Sequence, residues 1–170
     1  NIMLDSEGRP LIMDFGLARL LDDFTHASRA GALVGTPGYM APEQITGTGA
    51  DIDARTDIYA LGVLLYEMLS SRLPFEGHDP SAICNKILHE EPPPLSGAPM
   101  ELTYIVKKAM ARERNARYAT AGELAEDLKR WLAGDPISAR PVGPLGRLWR
   151  RARRNKAFAI PVAALSIVIL

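Results

Sequence analysis

Apolar residues occur in short runs near the start of the chain and at helical spacing further on. The runs within residues 1–4 and 11–13 flank an acidic turn with Gly8 and Pro10, so the pattern predicts a small β-hairpin. Residues 22–38 mix Asp, Ser, Thr, Gly and Ala without periodicity and are predicted to form a long loop. Because so long a structureless stretch is unusual inside a compact domain, this loop is expected to be functional.

Four helices are predicted after this loop, and they span residues 56–71, about 79–90, 100–111 and 120–134. The first carries apolar residues on nearly all of its faces, which is typical of a buried helix. It is expected to form the centre of the core, with these residues at helical spacing: Ile58, Leu61, Leu64, Leu65, Met68 and Leu69. The last helix carries an apolar stripe of Leu124, Leu128, Trp131 and Leu132. The predicted fold class is therefore mostly α with one short β-hairpin.

Capping residues mark where two of these helices begin. Asp79 precedes Pro80, which combines an N-cap carboxylate with a proline at the first helical position. Thr120 and Glu123 have the spacing of a capping box. Gly134 is well placed to end the helix that this box begins.

The composition is that of an ordinary globular protein, with 47% hydrophobic and 24% charged residues in a chain of 170. This length corresponds to about one domain and allows a substantial core. The chain starts at Asn1 and stops at Leu170 inside an apolar run, so it is expected to be a fragment. The single Cys84 fits a reducing compartment, and the three histidines lack metal-ligand spacing.

Charge is distributed unevenly along the chain. Residues 1–139 carry 13 Lys and Arg against 20 Asp and Glu, whereas residues 140–156 carry seven basic residues and no acidic one. Residues 135–156, which begin with several prolines and glycines, are predicted to be a basic juxtamembrane linker. Residues 157–170 contain no charge and are predicted to begin a transmembrane helix, since a complete span needs about 20 apolar residues.

Two alternatives for the C-terminal region stay open. The apolar segment could be a buried helix of a soluble domain, and the basic residues could contact nucleic acid. Nucleic acid is not the expected partner, because Trp149 is the only aromatic residue among the basic ones. A cationic flank favours the cytoplasmic side of a membrane, which predicts a single-pass protein with residues 1–134 in the cytoplasm.

Five features with possible chemical roles follow one another along the chain. They are Asn1, the triplet Asp14-Phe15-Gly16, the run G-T-P-G-Y-M-A-P-E at residues 35–43, Asp57 and Arg117. A D-F-G triplet alone recurs by chance and is a weak signal. The five features together, in this order and with Asn1 thirteen residues before Asp14, are a specific signal.

The five features resemble the eukaryotic-type protein kinase family over residues 1 to about 134. The G-T-P-x-Y-x-A-P-E segment resembles the serine/threonine branch, and the P-E-Q triplet at residues 42–44 is similar to bacterial membrane-bound members. The resemblance implies that residues 1–134 are most of the C-terminal lobe of a kinase. It also implies transfer of the γ-phosphate of ATP to serine or threonine hydroxyls of protein substrates.

A nucleotide site at the hairpin is one implication of the resemblance. Asn1 and Asp14 would supply an amide oxygen and a carboxylate to Mg²⁺, which prefers oxygen ligands. Asp14 is thereby a catalytic candidate as well as a metal ligand, and ATP and Mg²⁺ are the expected cofactors. Met3 and Met13 would line the floor of the adenine pocket, with plain core packing as the alternative.

The resemblance also assigns a role to the loop between the D-F-G triplet and the run at residues 35–43. Residues 17–33 would be the activation loop, where a phosphate can order the chain by pairing with arginine. Ser28 is the first candidate for this phosphorylation and Thr25 the second. Thr36 is the second catalytic candidate, expected to bond the catalytic base and to shape the pocket for the substrate hydroxyl.

Structural roles are implied for the residues that follow. Tyr39 and Met40 would line the substrate groove. Glu43 and Arg117 would form a buried ion pair that ties the activation segment to the helical core, with two unrelated surface charges as the alternative. Asp57 would hold the catalytic-loop backbone, and simple capping at the positive end of the helix is its alternative.

Several parts of a complete kinase are not in this sequence. The catalytic aspartate would lie five residues before Asn1, and the glycine-rich loop and ATP-contacting lysine belong to the N-terminal lobe. The chain alone is therefore predicted to be inactive, although its parent is predicted to be an active kinase, with a homodimer as one expected assembly. A pseudokinase or a membrane-anchored scaffold is the alternative, and residues upstream of Asn1 would decide between them.

Overall fold

The computed structural model of the chain describes residues 2–13, 37–46 and 52–140. Strands β1 (Ile2–Leu4) and β2 (Pro10–Ile12) pair antiparallel, with Met3 opposite Leu11. In the turn between them, Asp5 accepts hydrogen bonds from the backbone N–H groups of Glu7 (2.9 Å) and Arg9 (2.8 Å). The predicted hairpin is therefore confirmed, and its turn is closed by one carboxylate.

Five α-helices follow in the described residues: α1 (Pro42–Thr46), α2 (Ala54–Ser70), α3 (Pro80–His89), α4 (Met100–Ala109) and α5 (Ala121–Ala133). Short 3₁₀ turns lie at Pro37–Tyr39 and Arg114–Ala116. Helices α2 to α5 correspond to the four predicted helices, with bounds that differ by at most two residues. The mostly helical architecture with one two-stranded sheet is thus confirmed.

Side-chain caps fix the starts of three of these helices. Asp53 accepts from the N–H of Arg55 (2.8 Å), Asp79 from that of Ala82 (2.9 Å), and Thr120 from that of Glu123 (3.2 Å). Gly134 ends α5 with a φ of +77°, in the left-handed region that favours glycine. The caps predicted at residues 79 and 120 are present, and the cap at residue 53 starts α2 earlier than the apolar pattern predicts.

Two apolar clusters make the core, and α2 contributes residues to both. The first contains Ala41, Tyr59, Val63, Tyr66, Phe75, Ile87, Val106 and Met110. The second contains Ile58, Leu102, Ile105, Ala109, Tyr118, Leu124 and Ile137. A Cβ at Gly62 would lie 2.8 Å from Cγ of Met110, so the absence of a side chain there lets α2 and α4 approach closely.

Two apolar residues expected in the core are exposed in the structure. Met68 of α2 is 73% exposed and Leu132 of α5 is 75% exposed. In α5 the buried stripe includes Asp127, at the spacing of a helical face with Leu124 and Leu128. At about 100° per residue, Leu132 lies roughly 40° beyond Leu128 and roughly 140° from Asp127, at the solvent edge of that face.

The first residues of the predicted linker pack against the helices. Ile137 is 3% exposed and belongs to the second apolar cluster. The basic block beyond residue 140 and the predicted transmembrane segment lie outside the described residues, so both stay predictions. Among the helices of the described ranges, none has the length and apolar character needed to cross a bilayer.

Candidate functional site

Glu43 stands at the centre of the best-defined polar site in the described residues. It lies in the first turn of α1, directly after the segment 37–41, and it is only 7% exposed. Pro42 supplies a first helical residue that needs no N–H partner, and Gln44 accepts a hydrogen bond from the N–H of Ala41 (2.9 Å). These local contacts aim the Glu43 carboxylate into the helical core.

Arg117 meets this carboxylate with both of its terminal nitrogens. Nη1 lies 2.7 Å from Oε1 of Glu43 and Nη2 lies 2.7 Å from Oε2, a bidentate pair. The Arg117 side chain is 0% exposed, so the pair is shielded from water. The structure therefore brings together two sequence-predicted site residues that lie 74 positions apart.

The remaining N–H groups of Arg117 bond to backbone carbonyls. Nε donates to Ala111 (2.7 Å), Nη1 also donates to Arg55 (3.0 Å), and Nη2 also donates to Arg112 (3.1 Å). All five guanidinium donors thus have partners. The guanidinium carbon also lies 5.0 Å from the centre of the Tyr59 ring, within cation–π range. One side chain therefore joins α1, the start of α2 and the loop after α4.

The electrostatics of the site favour an ionised Glu43. Burial by itself would raise the pKa of its carboxyl, but hydrogen bonds from Arg117, from its own backbone and from Thr56 hold that pKa below the usual value of 4.5. The Thr56 hydroxyl lies 2.8 Å from Oε1 of Glu43. Burial also raises the pKa of the neighbouring Tyr59 to about 12, so its phenol stays neutral.

Tyr39 and Met40 lie just before this site and are half-buried. The Tyr39 hydroxyl donates a short hydrogen bond to Glu67 of α2, which raises the pKa of Tyr39. A Cβ at Gly38 would lie 2.9 Å from Cδ1 of Leu73, so this 3₁₀ turn packs closely on the loop after α2. The segment 37–40 is thus attached to α2 through Tyr39 and to the loop after α2 through Gly38.

The predicted nucleotide and catalytic residues are only partly described. Asn1, Asp14, Thr25, Ser28 and Thr36 lie outside the described residues, so their roles stay predictions. Within the described ranges, no group of three or more His, Cys, Asp or Glu side chains could hold a metal ion.

The other predicted nucleotide-site residues lie on or beside the hairpin. Met3 and Met13 are 55% and 44% exposed, and neither is packed in the core. Both the adenine-pocket role and the core-packing alternative for these two methionines stay predictions. Asp57 is exposed in the first turn of α2, one residue after Thr56.

Sequence reasoning missed three polar residues that complete the site: Thr56, Tyr59 and Glu67. Thr56 and Tyr59 flank the predicted Asp57 in the T-D-I-Y stretch of α2, where a helix predicted to be buried begins with polar residues. Glu67 stands among apolar residues in that helix. A charge within a largely apolar helix is a signal that it has a specific partner.

Comparisons with known proteins give the family. The protein kinase domain family matches residues 1–129. The chain belongs to the protein kinase family. A probable serine/threonine-protein kinase of Corynebacterium efficiens is 43% identical over 138 residues, which are 76% of this chain and 21% of that protein. The serine/threonine-protein kinase PknB of Mycobacterium leprae is 38% identical over 146 residues, 84% of this chain and 23% of that protein.

A third relative aligns with a larger share of the chain. The probable serine/threonine-protein kinase PknB of Bifidobacterium longum is 38% identical over 162 residues, 92% of this chain and 23% of that protein. The chain spans about a fifth of the length of the curated kinases it matches. The Glu43–Arg117 site therefore belongs to part of a kinase domain.

Proposed function

We propose that the protein containing this chain is a serine/threonine protein kinase that transfers the γ-phosphoryl group of ATP to protein hydroxyls. The observation that carries the proposal is the buried Glu43–Arg117 pair, with every donor of Arg117 in use. This pair attaches α1 to the core directly after the segment 37–41, the end of the proposed activation segment. The relatives' names, all of serine/threonine-protein kinases, support the same function.

The hairpin register supports a nucleotide site at one end of the sheet. Ile2, which follows Asn1, pairs with Ile12, two residues before Asp14. We propose Asn1 and Asp14 as the Mg²⁺ ligands, because their sequence neighbours share this end and because amide and carboxylate oxygens suit that ion. Mg²⁺-bound ATP would supply the phosphoryl group to be transferred, and exposed Met3 and Met13 would contact its adenine.

The segment after the activation loop is proposed to hold the protein substrate. Tyr39 and Met40 would line the groove, and the bond from Tyr39 to Glu67 supports a fixed position for the first of them. Thr36 would bond the catalytic base, and Ser28, then Thr25, would accept the activating phosphate. The exposed Asp57, beside the Glu43 site, would hold the catalytic-loop backbone.

Attachment to a membrane is a further part of the proposal. Seven basic residues within 140–156 precede the uncharged residues 157–170. This order supports a single-pass protein whose kinase portion faces the cytoplasm, where ATP is available. Basic residues near the surface would also attract anionic lipid, at about 1 kcal/mol each. A second copy of the chain is proposed as a partner alongside the protein substrates.

The test of the kinase function is Asp14→Ala in the full protein. Without the carboxylate, Mg²⁺-dependent transfer from γ-labelled ATP to a generic protein substrate is expected to fall about 100-fold or more, since most of the catalysis is charge neutralisation and positioning. The matched control is Glu126→Ala, an acidic residue on the exposed part of α5, which is expected to keep full activity.

Two outcomes would contradict the proposal. Equal transfer by the Asp14→Ala and Glu126→Ala proteins would remove Asp14 from the reaction. Mg²⁺·ATP binding by the unsubstituted full protein without any transfer to substrate would favour a pseudokinase. Nucleotide binding is therefore measured by calorimetry on the same samples.

A further inference from the structure

Asp127 is a second buried carboxylate, and it lies away from the Glu43 site. It is 1% exposed and sits on the core-facing stripe of α5. Its oxygens accept hydrogen bonds from the Tyr118 hydroxyl (2.9 Å), the Ser138 N–H (2.7 Å), the Ser138 hydroxyl (2.7 Å) and the Ala139 N–H (2.9 Å). Three of these four donors belong to two residues that follow the end of the helix.

These contacts hold residues 135–139, which we call the strap, against the helices. Ile137 fills a place in the second apolar cluster, and Ala139 packs at its edge. The strap doubles back after Gly134, whose left-handed conformation turns the chain at the end of α5. The strap also lies beyond residues 1–129, the part that matches the kinase family. It is held mainly by one carboxylate and one apolar side chain.

Ser138 is exposed, although its hydroxyl donates to the buried carboxylate. This combination makes the strap sensitive to modification. A phosphate on this hydroxyl removes the hydrogen that Asp127 accepts and adds about −1.5 to −2 charge at pH 7 beside that ion. Because Asp127 is 1% exposed, water screens its charge poorly and the carboxylate repels a phosphate beside it. The basic block that begins at Arg140 offers the phosphate alternative partners once the strap has left the surface.

We propose that Ser138 is a phosphorylation site and that its phosphorylation detaches the strap from α5. In the modification, Oγ of Ser138 forms a bond to the γ-phosphorus of ATP as the bond from that phosphorus to the β–γ bridging oxygen breaks. ADP leaves with that oxygen, and the hydroxyl proton passes to the base of the modifying kinase. That enzyme is either this protein or another kinase, so the proposal does not depend on this chain's own activity.

Detachment changes where the basic block is attached to the folded helices. With the strap bound, the chain is held against the helices through Ala139; with the strap free, it is held only through Gly134. The five residues of the strap can then extend, which adds up to about 17 Å of reach. Phosphorylation of Ser138 would thus alter the distance between the kinase portion and whatever surface the basic residues contact.

The test is hydrogen exchange on the full protein with phosphoserine incorporated at position 138. The amides of Ser138 and Ala139 both donate to Asp127, so they report directly on the strap. Their exchange is expected to be at least about tenfold faster in the phosphorylated protein. The control is Ser138→Ala, which loses one hydroxyl bond but keeps both amide bonds and is expected to accelerate exchange by about two- to tenfold, less than the phosphate does.

A second comparison separates charge repulsion from simple crowding. In an Asp127→Asn background the carboxylate charge is absent, so phosphoserine at 138 is expected to accelerate exchange less than in the parent. The α2 amides serve as an internal reference for global unfolding. Unchanged exchange of the strap in the phosphorylated protein, or equal acceleration of the strap and α2, would overturn the proposal.

Discussion

Glu43 and Asp127 are both buried carboxylates, but different kinds of donor surround them. Glu43 faces the full charge of Arg117, which approaches it at 2.7 Å through two nitrogens. Asp127 has only neutral donors: two backbone N–H groups and two hydroxyls. In the described residues no buried side-chain nitrogen or oxygen lacks a hydrogen-bond partner, so both sets of donors satisfy the carboxylate that they surround.

The difference between the two carboxylates teaches how each part of the molecule is fixed. The Glu43 site connects elements far apart in the sequence, because a long arginine side chain reaches three backbone carbonyls as well as the carboxylate. The Asp127 site joins α5 to a strap only 11 residues later, through groups that depend on the strap's backbone conformation. We therefore expect the Glu43 site to open only when the whole domain unfolds, and the Asp127 site to open by local unfolding of the strap.

The largest expected effect comes from Arg117→Met. This variant keeps much of the apolar stem but leaves the Glu43 charge buried and three carbonyls without their donor. The free energy of unfolding of the full protein, measured by chemical denaturation, is expected to fall by about 3–5 kcal/mol. Arg130→Met is the control, because its pair with Glu126 is an exposed pair along one helix, worth at most about 0.5 kcal/mol.

A double variant tests whether the loss comes from the stranded charge. Adding Glu43→Leu to Arg117→Met removes the buried carboxylate, so part of the lost stability is expected to return. A double variant no more stable than Arg117→Met would place the cost in the carbonyl contacts instead. Either result measures how much of this site depends on charge.

A smaller effect is expected from Asp127→Asn. The side-chain amide keeps one acceptor oxygen, but its NH₂ group faces donors on Tyr118 and Ser138. The expected loss is about 1–3 kcal/mol of unfolding free energy, because buried donors lose their acceptor. Strap amides are expected to exchange faster than those of α2, as local opening requires. A loss larger than that of Arg117→Met would reverse the ranking of the two sites.

The helices and the hairpin could be predicted because local patterns encode them. Asp79, Thr120 and Gly134 act within a few residues of themselves, and each one caps the predicted helix end. The prediction that Leu132 is buried was wrong, because helical periodicity alone treats every apolar residue of a stripe as buried. Asp127 lies on the buried face of α5 instead, and its polar side chain within an apolar stripe was the sequence signal of a specific partner.

The sites could be predicted only in part. The Glu43–Arg117 pair was named from the family resemblance, and the distances between the two side chains show that they meet. The carbonyl partners of Arg117 could not be predicted, because every residue type has a backbone carbonyl and the sequence does not distinguish those that accept a hydrogen bond. Ser138 was assigned to a linker, since its contact with Asp127 depends on the chain reversal at Gly134. Asn1, Asp14 and Thr36 lie outside the described residues and stay predictions.

The smallest expected effect is a pH dependence that distinguishes the two carboxylates. Burial alone would raise the pKa of Asp127, but its bonds from Ser138, Tyr118 and Ala139 hold that pKa below the usual 3.8. The pKa of Glu43 is likewise held below 4.5. The native state therefore binds fewer protons than the unfolded chain, and both groups stabilise the fold above those values. Their contribution is lost as pH falls through the lowered pKa values.

Variants separate the two contributions. The gap in unfolding free energy between the parent and Asp127→Asn is expected to shrink as pH falls below the usual 3.8 and through the lowered pKa, because a protonated Asp127 resembles a neutral asparagine. The gap between the parent and Glu43→Gln is expected to shrink in the same way. For the exposed Glu126→Gln, the difference in unfolding free energy from the parent is expected to stay small and constant. An Asp127→Asn gap that stays constant over this range would mean that strap binding does not need an ionised carboxylate. Charge repulsion could then not explain release of the strap by phosphate.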